Sequence, residues 1–189
     1  MRGLVRQAYS ESVRFPQGKH PFPIGRDFAI SVGYPPELLA DLPRASVEAY
    51  AGVSNLSLSA PIGTNDRVLD LGCGAGLDSL IAGRRVGPAG SVVGLDFSAT
   101  AVVSAREAAA RTGMDNVLFC CGEAEKLPMS EGSFDLALVN GIFNLNPERA
   151  AIFQELARVL RPGGVVFAAE LVLSRRISPR PWTAADWFA

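Results

Sequence analysis

The sequence predicts an α/β protein with a doubly wound, mostly parallel sheet. Apolar runs of strand length alternate with segments in which aliphatic and small residues recur at helical spacing. The runs are almost continuously apolar, which is typical of strands that are covered on both faces. The first of them leads directly into a turn with three glycines. Because strands that alternate with helices form parallel sheets, these observations together predict the doubly wound arrangement.

The first apolar run covers residues 67 to 71 and contains Asp70. It is followed by Gly72, Gly74 and Gly76, so it predicts a strand, a tight turn and a helix start. Glycine permits unusual backbone angles in such a turn, and the missing Cβ lets a ligand reach the main chain. We therefore interpret the turn as the cradle of a nucleotide-type ligand.

The second apolar run ends in Asp96, twenty residues beyond Gly76. An acid at this place accepts hydrogen bonds from the ribose hydroxyls of a ligand that lies beside the first strand. Two acids at neighbouring strand ends, Asp70 and Asp96, thus define one crevice.

The glycine spacing bears on which ligand the crevice holds. Dinucleotide-binding turns have glycines at the first, third and sixth positions, but the sixth position here is Leu77. Asp70 also adds negative charge near the place of the dinucleotide phosphates. S-adenosylmethionine has no phosphate and carries a sulfonium and an ammonium group, so the pattern favours this cofactor. An NAD-dependent oxidoreductase is the alternative, since Asp96 could bind the ribose of either NAD or S-adenosylmethionine.

The remaining elements follow the same alternation. We expect a short helix near residues 4–12, a helical turn over 36–40, and helices that start at Leu77, after Ser98 and at Pro147, the last with Asn146 as its cap. Further strands are expected at 91–96, 116–121, 134–140 and 165–171.

The composition indicates one compact domain, with 189 residues of which 48% are hydrophobic and 20% charged. The net charge is -1 and no lysine-arginine cluster is present, so we expect a small-molecule substrate and no nucleic acid. No leader follows Met1 and no apolar run could span a bilayer, so we expect a cytoplasmic protein without a membrane partner. The three cysteines argue against a disulfide framework, and we expect no metal site.

The prolines concentrate in residues 1–45, which we interpret as an N-terminal arm or lid, before a ligand-binding domain over 46–174 and a C-terminal tail over 175–189. Aromatic residues of the arm, such as Tyr9 and Tyr34, could cover a cofactor or substrate. Alternatively, they pack on the core.

Residues 68 to 76 resemble the first motif of the class I S-adenosylmethionine-dependent methyltransferases, and later segments up to residue 171 are similar to that pattern in order. The resemblance implies a Rossmann-like methyltransferase sheet and the transfer of a methyl group to a small molecule by direct displacement. A non-catalytic S-adenosylmethionine-binding subunit or fragment is the alternative. The implied cofactor contacts are Asp70, Gly72, Cys73, Gly74 and Gly76 at the methionine part, Asp96 at the ribose, Phe97, Gly122, Glu123 and Ala124 at the adenine, and Asn140 and Gly141 at the transfer site.

A narrower resemblance, to arsenite methyltransferases and their relatives, is carried by residues 34–55, 84–90 and 140–145. In that family a cysteine that binds arsenic stands at the position of Gly141, and another stands near Val53 to Asn55. Neither cysteine is present here. Trivalent arsenic requires thiolate ligands, so we do not expect it as the substrate.

Class I methyltransferases usually continue after the fifth strand with a helix and antiparallel strands, for which this chain has little length left. We therefore expect a sheet without the last antiparallel strands and with an unpaired fifth-strand edge. Either a homodimer forms through this edge, or the N-terminal arm folds back over it.

Overall fold

The computed structural model describes residues 2–172. Five strands form one sheet in the order β3-β2-β1-β4-β5, and all pairings between them are parallel. The predicted doubly wound α/β fold is thus confirmed. The strands are β1 Arg67–Leu71, β2 Ser91–Asp96, β3 Val117–Cys121, β4 Phe134–Asn140 and β5 Leu160–Ala169.

The helices precede the sheet or alternate with its strands. In chain order they are α1 Arg2–Arg14, α2 Gly25–Ser31, α3 Pro36–Ala40, α4 Arg44–Glu48, α5 Leu56–Ser59, α6 Leu77–Val86, α7 Ala99–Thr112, a 3₁₀ turn at Phe143–Leu145 and α8 Arg149–Val159.

The central strand β1 is buried from Val68 to Leu71, because it lies between β2 and β4 and is covered on both faces. Val68 belongs to the core under α6 and α7, whereas Leu69 and Leu71 belong to the core under α8. Leu71 is in register with Leu95 of β2 and Val139 of β4. The residues that follow these strands therefore meet at one edge of the sheet.

Two predicted boundaries were wrong. Strand β5 begins at Leu160 rather than Val165 and ends at Ala169, with a register shift opposite residues 134–136. An edge strand tolerates Pro162 and such an irregularity, because only one of its sides is paired. Helix α8 begins at Arg149, two residues later than predicted. The side chain of Asn146 accepts a hydrogen bond from the Glu148 amide in the turn before it (2.8 Å).

The N-terminal arm packs against α7, which lies over β2 and β3. The arm therefore does not fold back over β5, contrary to one of the two expected arrangements. Its aromatic residues divide between the two expected roles. Tyr34 is buried in the core with its ring edge against Tyr50 (centroids 5.3 Å apart), while Tyr9 faces the edge of the sheet where the strands end.

The outer edge of β5 carries Val165 and Val166, which are 45% and 37% exposed. Among the residues that the structure describes, no strand pairs with this edge. The tail predicted at 175–189 lies outside the described residues. A homodimer through β5 therefore stays a prediction.

The close contact between α6 and β3 leads to a stability prediction. A Cβ added at Gly83 would lie 2.3 Å from Cγ2 of Val117, a buried β-branched side chain with little freedom to move. Overpacking of a core costs ~1–3 kcal/mol, and we expect Gly83→Ala to lie in the upper part of this range. This cost exceeds the ~1 kcal/mol by which alanine stabilises a helix relative to glycine, so the variant should be less stable than the wild type. Urea unfolding measures the difference.

Gly3→Ala is the matched control, because Gly3 also lies in a helix but a Cβ there meets no atom within 4 Å. We expect this variant to be as stable as the wild type or more so. If Gly83→Ala stabilised the fold as much as Gly3→Ala does, the close approach of α6 to β3 would be refuted.

Candidate functional site

Two adjoining cavities lie where the carboxyl ends of β1, β2 and β4 meet, with volumes of about 750 and 1,000 Å³ including their open mouths. The inner cavity is bounded by the glycine turn, the start of α6, residues 49–52 and the second half of α1. The outer cavity is bounded by residues 122–125 and the first turns of α1. The two share Gly72, Asp96, Phe97, Ile142 and Leu145.

The structure brings most of the predicted site residues together around this crevice. Gly76 alone among them lines neither cavity. A Cβ there would lie 2.9 Å from the Phe119 ring, so this glycine allows the turn to pack on β3. The predicted residues at the inner cavity are Asp70, Gly72, Cys73, Gly74, Asp96, Phe97, Asn140 and Gly141, and those found only at the outer cavity are Gly122, Glu123 and Ala124.

The glycines of the turn serve different needs, although all have positive φ. A Cβ on Gly72 would lie 2.1 Å from Cδ1 of Ile142, so packing requires glycine there. A Cβ on Gly74, by contrast, would meet no atom within 4 Å. Gly74 thus leaves the main chain open to the crevice, as a ligand cradle requires.

Cys73 lies between these two glycines and is buried. Burial, together with the nearby carboxyls of Asp96 and Asp70, raises the pKa of its thiol well above the ordinary value. The thiol therefore stays protonated and acts as a small packing group.

Asp96 joins β2 to the glycine turn. One carboxylate oxygen accepts a hydrogen bond from the Gly74 amide (2.9 Å), and the other accepts one from the Ser98 amide (2.8 Å). The residue borders both cavities, and a carboxylate oxygen can accept more than one hydrogen bond. Asp96 can thus hold the turn and still accept hydrogen bonds from hydroxyl groups of a ligand.

Asp70 is buried and accepts a hydrogen bond from the Ser79 hydroxyl (2.5 Å). Burial, together with the nearby carboxyls of Asp78 and Asp96, raises its pKa to about 8. These three acids line the inner cavity, and none of the described residues that line it is lysine, arginine or histidine. The inner cavity is therefore suited to a ligand with positive charge.

The sequence interpretation missed Asp78, which is buried in the wall of the inner cavity. Its carboxylate accepts hydrogen bonds from the Tyr34 hydroxyl, the Ser57 amide (3.2 Å) and the side-chain amide of Asn140 (3.0 Å). Asp78 lies in the first turn of the helix that follows the glycines. That position could have identified it, because the start of this helix faces the crevice in such folds.

Helix α1 forms a roof over the crevice. The guanidinium of Arg6 lies 5.3 Å from the centre of the Phe97 ring and pairs with the carboxylate of Glu123. Further along the helix, the hydroxyls of Ser10 and Ser98 are 2.8 Å apart. The resemblance implies that Glu123 contacts the adenine. In this structure its carboxylate is paired with Arg6 of the arm.

The loop after β4 brings Gly141 next to Val53, since a Cβ on Gly141 would lie 3.3 Å from Cγ1 of Val53. These are the two places for which the arsenite methyltransferase resemblance implies cysteines. They are neighbours in the fold, and here they offer one aliphatic side chain and no thiol.

The chain matches a family model described as "Methyltransferase domain" over residues 62–185. An arsenite methyltransferase of Halobacterium salinarum is 39% identical over 121 residues, which are 64% of this chain and 31% of that protein. A demethylmenaquinone methyltransferase of Lactococcus lactis is 36% identical over 103 residues, 54% of this chain and 41% of that one.

Two solved structures show the same fold. An arsenic (III) S-adenosylmethionine methyltransferase from Chlamydomonas reinhardtii has a TM-score of 0.68 and 35% identity, with 76% of this chain and 52% of that chain covered. The [4+2]-cyclase SpnF has a TM-score of 0.66 at 24% identity, with 94% and 64% covered, and shows the fold alone.

A parallel sheet with a glycine turn and an acid at the end of its second strand defines a Rossmann-like domain for nucleoside ligands. The match over residues 62–185 shows that the chain belongs to the family of methyltransferase domains, and S-adenosylmethionine is the cofactor that this family implies. Both resemblance-based predictions, of the class and of the cofactor, are thus confirmed.

The chain spans about a third of the length of the arsenite methyltransferases that it matches. None of the helices in residues 2–172 is long and apolar enough to cross a membrane.

The raised pKa of Asp70 leads to a pH prediction for the ligand-free protein. Because its pKa is about 8 in the folded state and 3.8 ordinarily, the folded state binds more protons than the unfolded state between these values. The free energy of unfolding therefore falls as the pH rises from about 4 to about 8. The pKa of Asp96 is raised by burial and contributes with the same sign.

We expect Asp70→Asn to make this decline shallower, because the variant lacks one of the titrating groups. Urea unfolding at about pH 5 and about pH 8 measures the slope. Asp66→Asn, which removes an acid at the opposite end of β1, is the control. Equal flattening in both variants would contradict the assignment to Asp70.

Proposed function

We propose that this domain binds S-adenosylmethionine in the crevice and transfers its methyl group to a small molecule by direct displacement. The observation that carries the proposal is the inner cavity, where three buried acids lie beside the open main chain of Gly74. The residues fit the cofactor, because its sulfonium and ammonium groups supply the positive charge that these acids favour. When bound, the cofactor supplies an electrophilic methyl group.

The proposed binding roles follow the two cavities. Asp70 and the main chain at Gly74 hold the methionine part, and Gly72, Cys73 and Gly76 shape the turn. Asp96 accepts hydrogen bonds from the ribose hydroxyls. The adenine occupies the outer cavity between Phe97 and the loop formed by Gly122, Glu123 and Ala124. The Gly122 amide donates to the main-chain oxygen of Asp96 (3.0 Å), which fixes this loop beside the ribose end.

Methyl transfer by displacement requires an aligned nucleophile and the exclusion of water rather than an acid-base pair. Helix α1 covers the crevice from above, and Asn140 and Gly141 line its inner end. Burial raises the pKa of Tyr9 to about 12 and raises that of Tyr50 as well. These hydroxyls stay protonated and are therefore poor bases.

The acceptor class is proposed from the relatives and from the cavity together. The relatives are named for arsenite and demethylmenaquinone, both of which are small molecules. Val53 and Gly141 offer no thiolate for arsenic, so we propose an organic acceptor.

Calorimetric titration with S-adenosylmethionine, and separately with NAD, tests the binding part of the proposal. Release of S-adenosylhomocysteine in the presence of candidate acceptors tests the transfer part. Tight binding without release would favour the alternative of a non-catalytic subunit or fragment, which is consistent with the open β5 edge of the described sheet. Tighter binding of NAD would refute the proposal.

Asp96→Ala tests the ribose contact. We expect S-adenosylmethionine to bind more weakly by at least ~1–3 kcal/mol, because the ribose hydroxyls lose an acceptor and the Gly74 amide loses its partner. Asp96→Asn keeps one acceptor oxygen and should fall between this variant and the wild type. An unchanged affinity of Asp96→Ala in calorimetry would rule out this role.

Gly74→Val tests the cradle. The new side chain would enter the open space beside the main chain, so we expect loss of cofactor binding with the fold retained.

Gly113→Val is its matched control. Gly113 also has positive φ (65°, against 52° at Gly74) and also has no atom within 4 Å of an added Cβ, but it ends α7 away from the crevice. Both variants carry a similar backbone strain, so circular dichroism melts should shift alike, while only Gly74→Val loses binding. Normal binding by Gly74→Val would place the cradle elsewhere.

A further inference from the structure

The buried contact between Asp78 and Asn140 lies in the wall of the inner cavity and joins two parts of the chain that are 62 residues apart. Asp78 does not cap its own helix. The three donors to its carboxylate come from the segments before β1 and from the end of β4. The carboxylate therefore links the segments before β1 to the end of β4.

The side chain of Asn140 continues this network toward residues 50–54. Its oxygen accepts a hydrogen bond from the Val53 amide (2.8 Å), and its nitrogen donates to the Ser54 carbonyl (2.9 Å) and to Asp78 (3.0 Å). The Tyr50 hydroxyl also donates to the Ser54 carbonyl (2.6 Å). Two groups of Asn140 thus clamp two consecutive residues of this segment.

The orientation of the Asn140 amide decides whether the clamp forms. An amide presents an acceptor on one side and donors on the other, whereas a carboxylate only accepts. Asp78 therefore requires the nitrogen of Asn140 to face it, which leaves the oxygen for Val53. The backbone of Gly52 packs closely on this network, because a Cβ there would lie 2.5 Å from the Asn140 nitrogen and 2.6 Å from the Tyr50 hydroxyl oxygen.

We propose that Asp78 is a positioning residue that fixes the orientation of the Asn140 amide and thereby holds residues 50–54 as the acceptor-side wall of the inner cavity. Tyr50, Ala51 and Gly52 line that cavity. The proposal rests on the proposed function in one respect only, which is that the inner cavity is where the methyl group is transferred. The clamp itself is a structural claim that can be tested without any acceptor.

The amides of Val53 and Ser57 report directly on the clamp, because each donates to one of the two side chains. In the wild type, the two oxygens of the Asp78 carboxylate accept from three donors. In Asp78→Asn, one oxygen remains for the same three donors. We expect hydrogen exchange of both amides, followed by NMR, to accelerate at least about tenfold, while Leu69 and Leu138 in the central strands keep their protection.

The double variant Asp78→Asn with Asn140→Asp exchanges the amide and the carboxylate. The amide at position 78 then donates to the carboxylate at position 140, and it keeps its oxygen for the Tyr34 hydroxyl and the Ser57 amide. The carboxylate at position 140 still accepts from Val53 but cannot donate to the Ser54 carbonyl, which keeps the Tyr50 hydroxyl as its donor. We expect both amides to return to within about threefold of their wild-type exchange rates. A residue that only fills space would not be rescued in this way.

Asp66→Asn is the matched control, since Asp66 also accepts a hydrogen bond from a backbone amide (Gly63, 2.7 Å) but lies at the other end of β1. It should leave Val53 and Ser57 protected. Unchanged exchange of Val53 in Asp78→Asn, or no recovery in the double variant, would overturn the proposal. If Asp78→Asn does not fold, the double variant decides, because it must fold with both amides protected.

Binding of S-adenosylmethionine to the wild type is measured in parallel. Failure of that binding would remove the proposed function, whereas the exchange rates judge the clamp independently. The two failures are therefore distinguishable.

Discussion

The hydrogen bond between the Asp96 carboxylate and the Gly74 amide fixes the geometry on which the crevice depends. It joins the end of β2 to the turn after β1, and both cavities share the residue that accepts it. The parallel register places these two chain segments at the same level, and the amides of Gly72 and Cys73 donate to the Leu95 carbonyl (2.7 and 3.0 Å). A buried acceptor that also binds the Ser98 amide holds the turn open, with Gly74 facing the cavity.

This arrangement concentrates carboxyl groups in the inner cavity, where none of the described lining residues is cationic. Burial of Asp70 and Asp96 raises the pKa of both groups, so the ligand-free crevice keeps protons that it would otherwise lose. A cationic ligand stabilises the charged forms of these acids. The same groups that lower the stability of the ligand-free domain at higher pH therefore favour binding of the cation. The charge pattern thus links the stability of the domain to the chemistry of its proposed cofactor.

The two sides of the crevice are held by contacts of different kinds. Arg6 and Glu123, which help to hold α1 over the outer cavity, are each about half exposed, and such pairs contribute little because water screens them. The opposite wall depends on Asp78 and its buried partners, where loss of an acceptor leaves donors unsatisfied. The roof is therefore easier to displace than the wall.

The sequence by itself determined the parallel sheet, the central strand, the glycine turn and the acids Asp70 and Asp96. These features are local, since an apolar run, a turn that requires glycine and an acid at a strand end are visible in consecutive residues. The start of β5 was beyond this reasoning, because an edge strand accepts Pro162 and two glycines that local rules assign to a turn. Only the tertiary structure decided that Asp78 meets Asn140, that Arg6 pairs with Glu123, and that the arm covers the crevice rather than β5. The partners in these contacts are distant in sequence, and polar residues of these types would be equally acceptable on a solvated surface until folding brings them together.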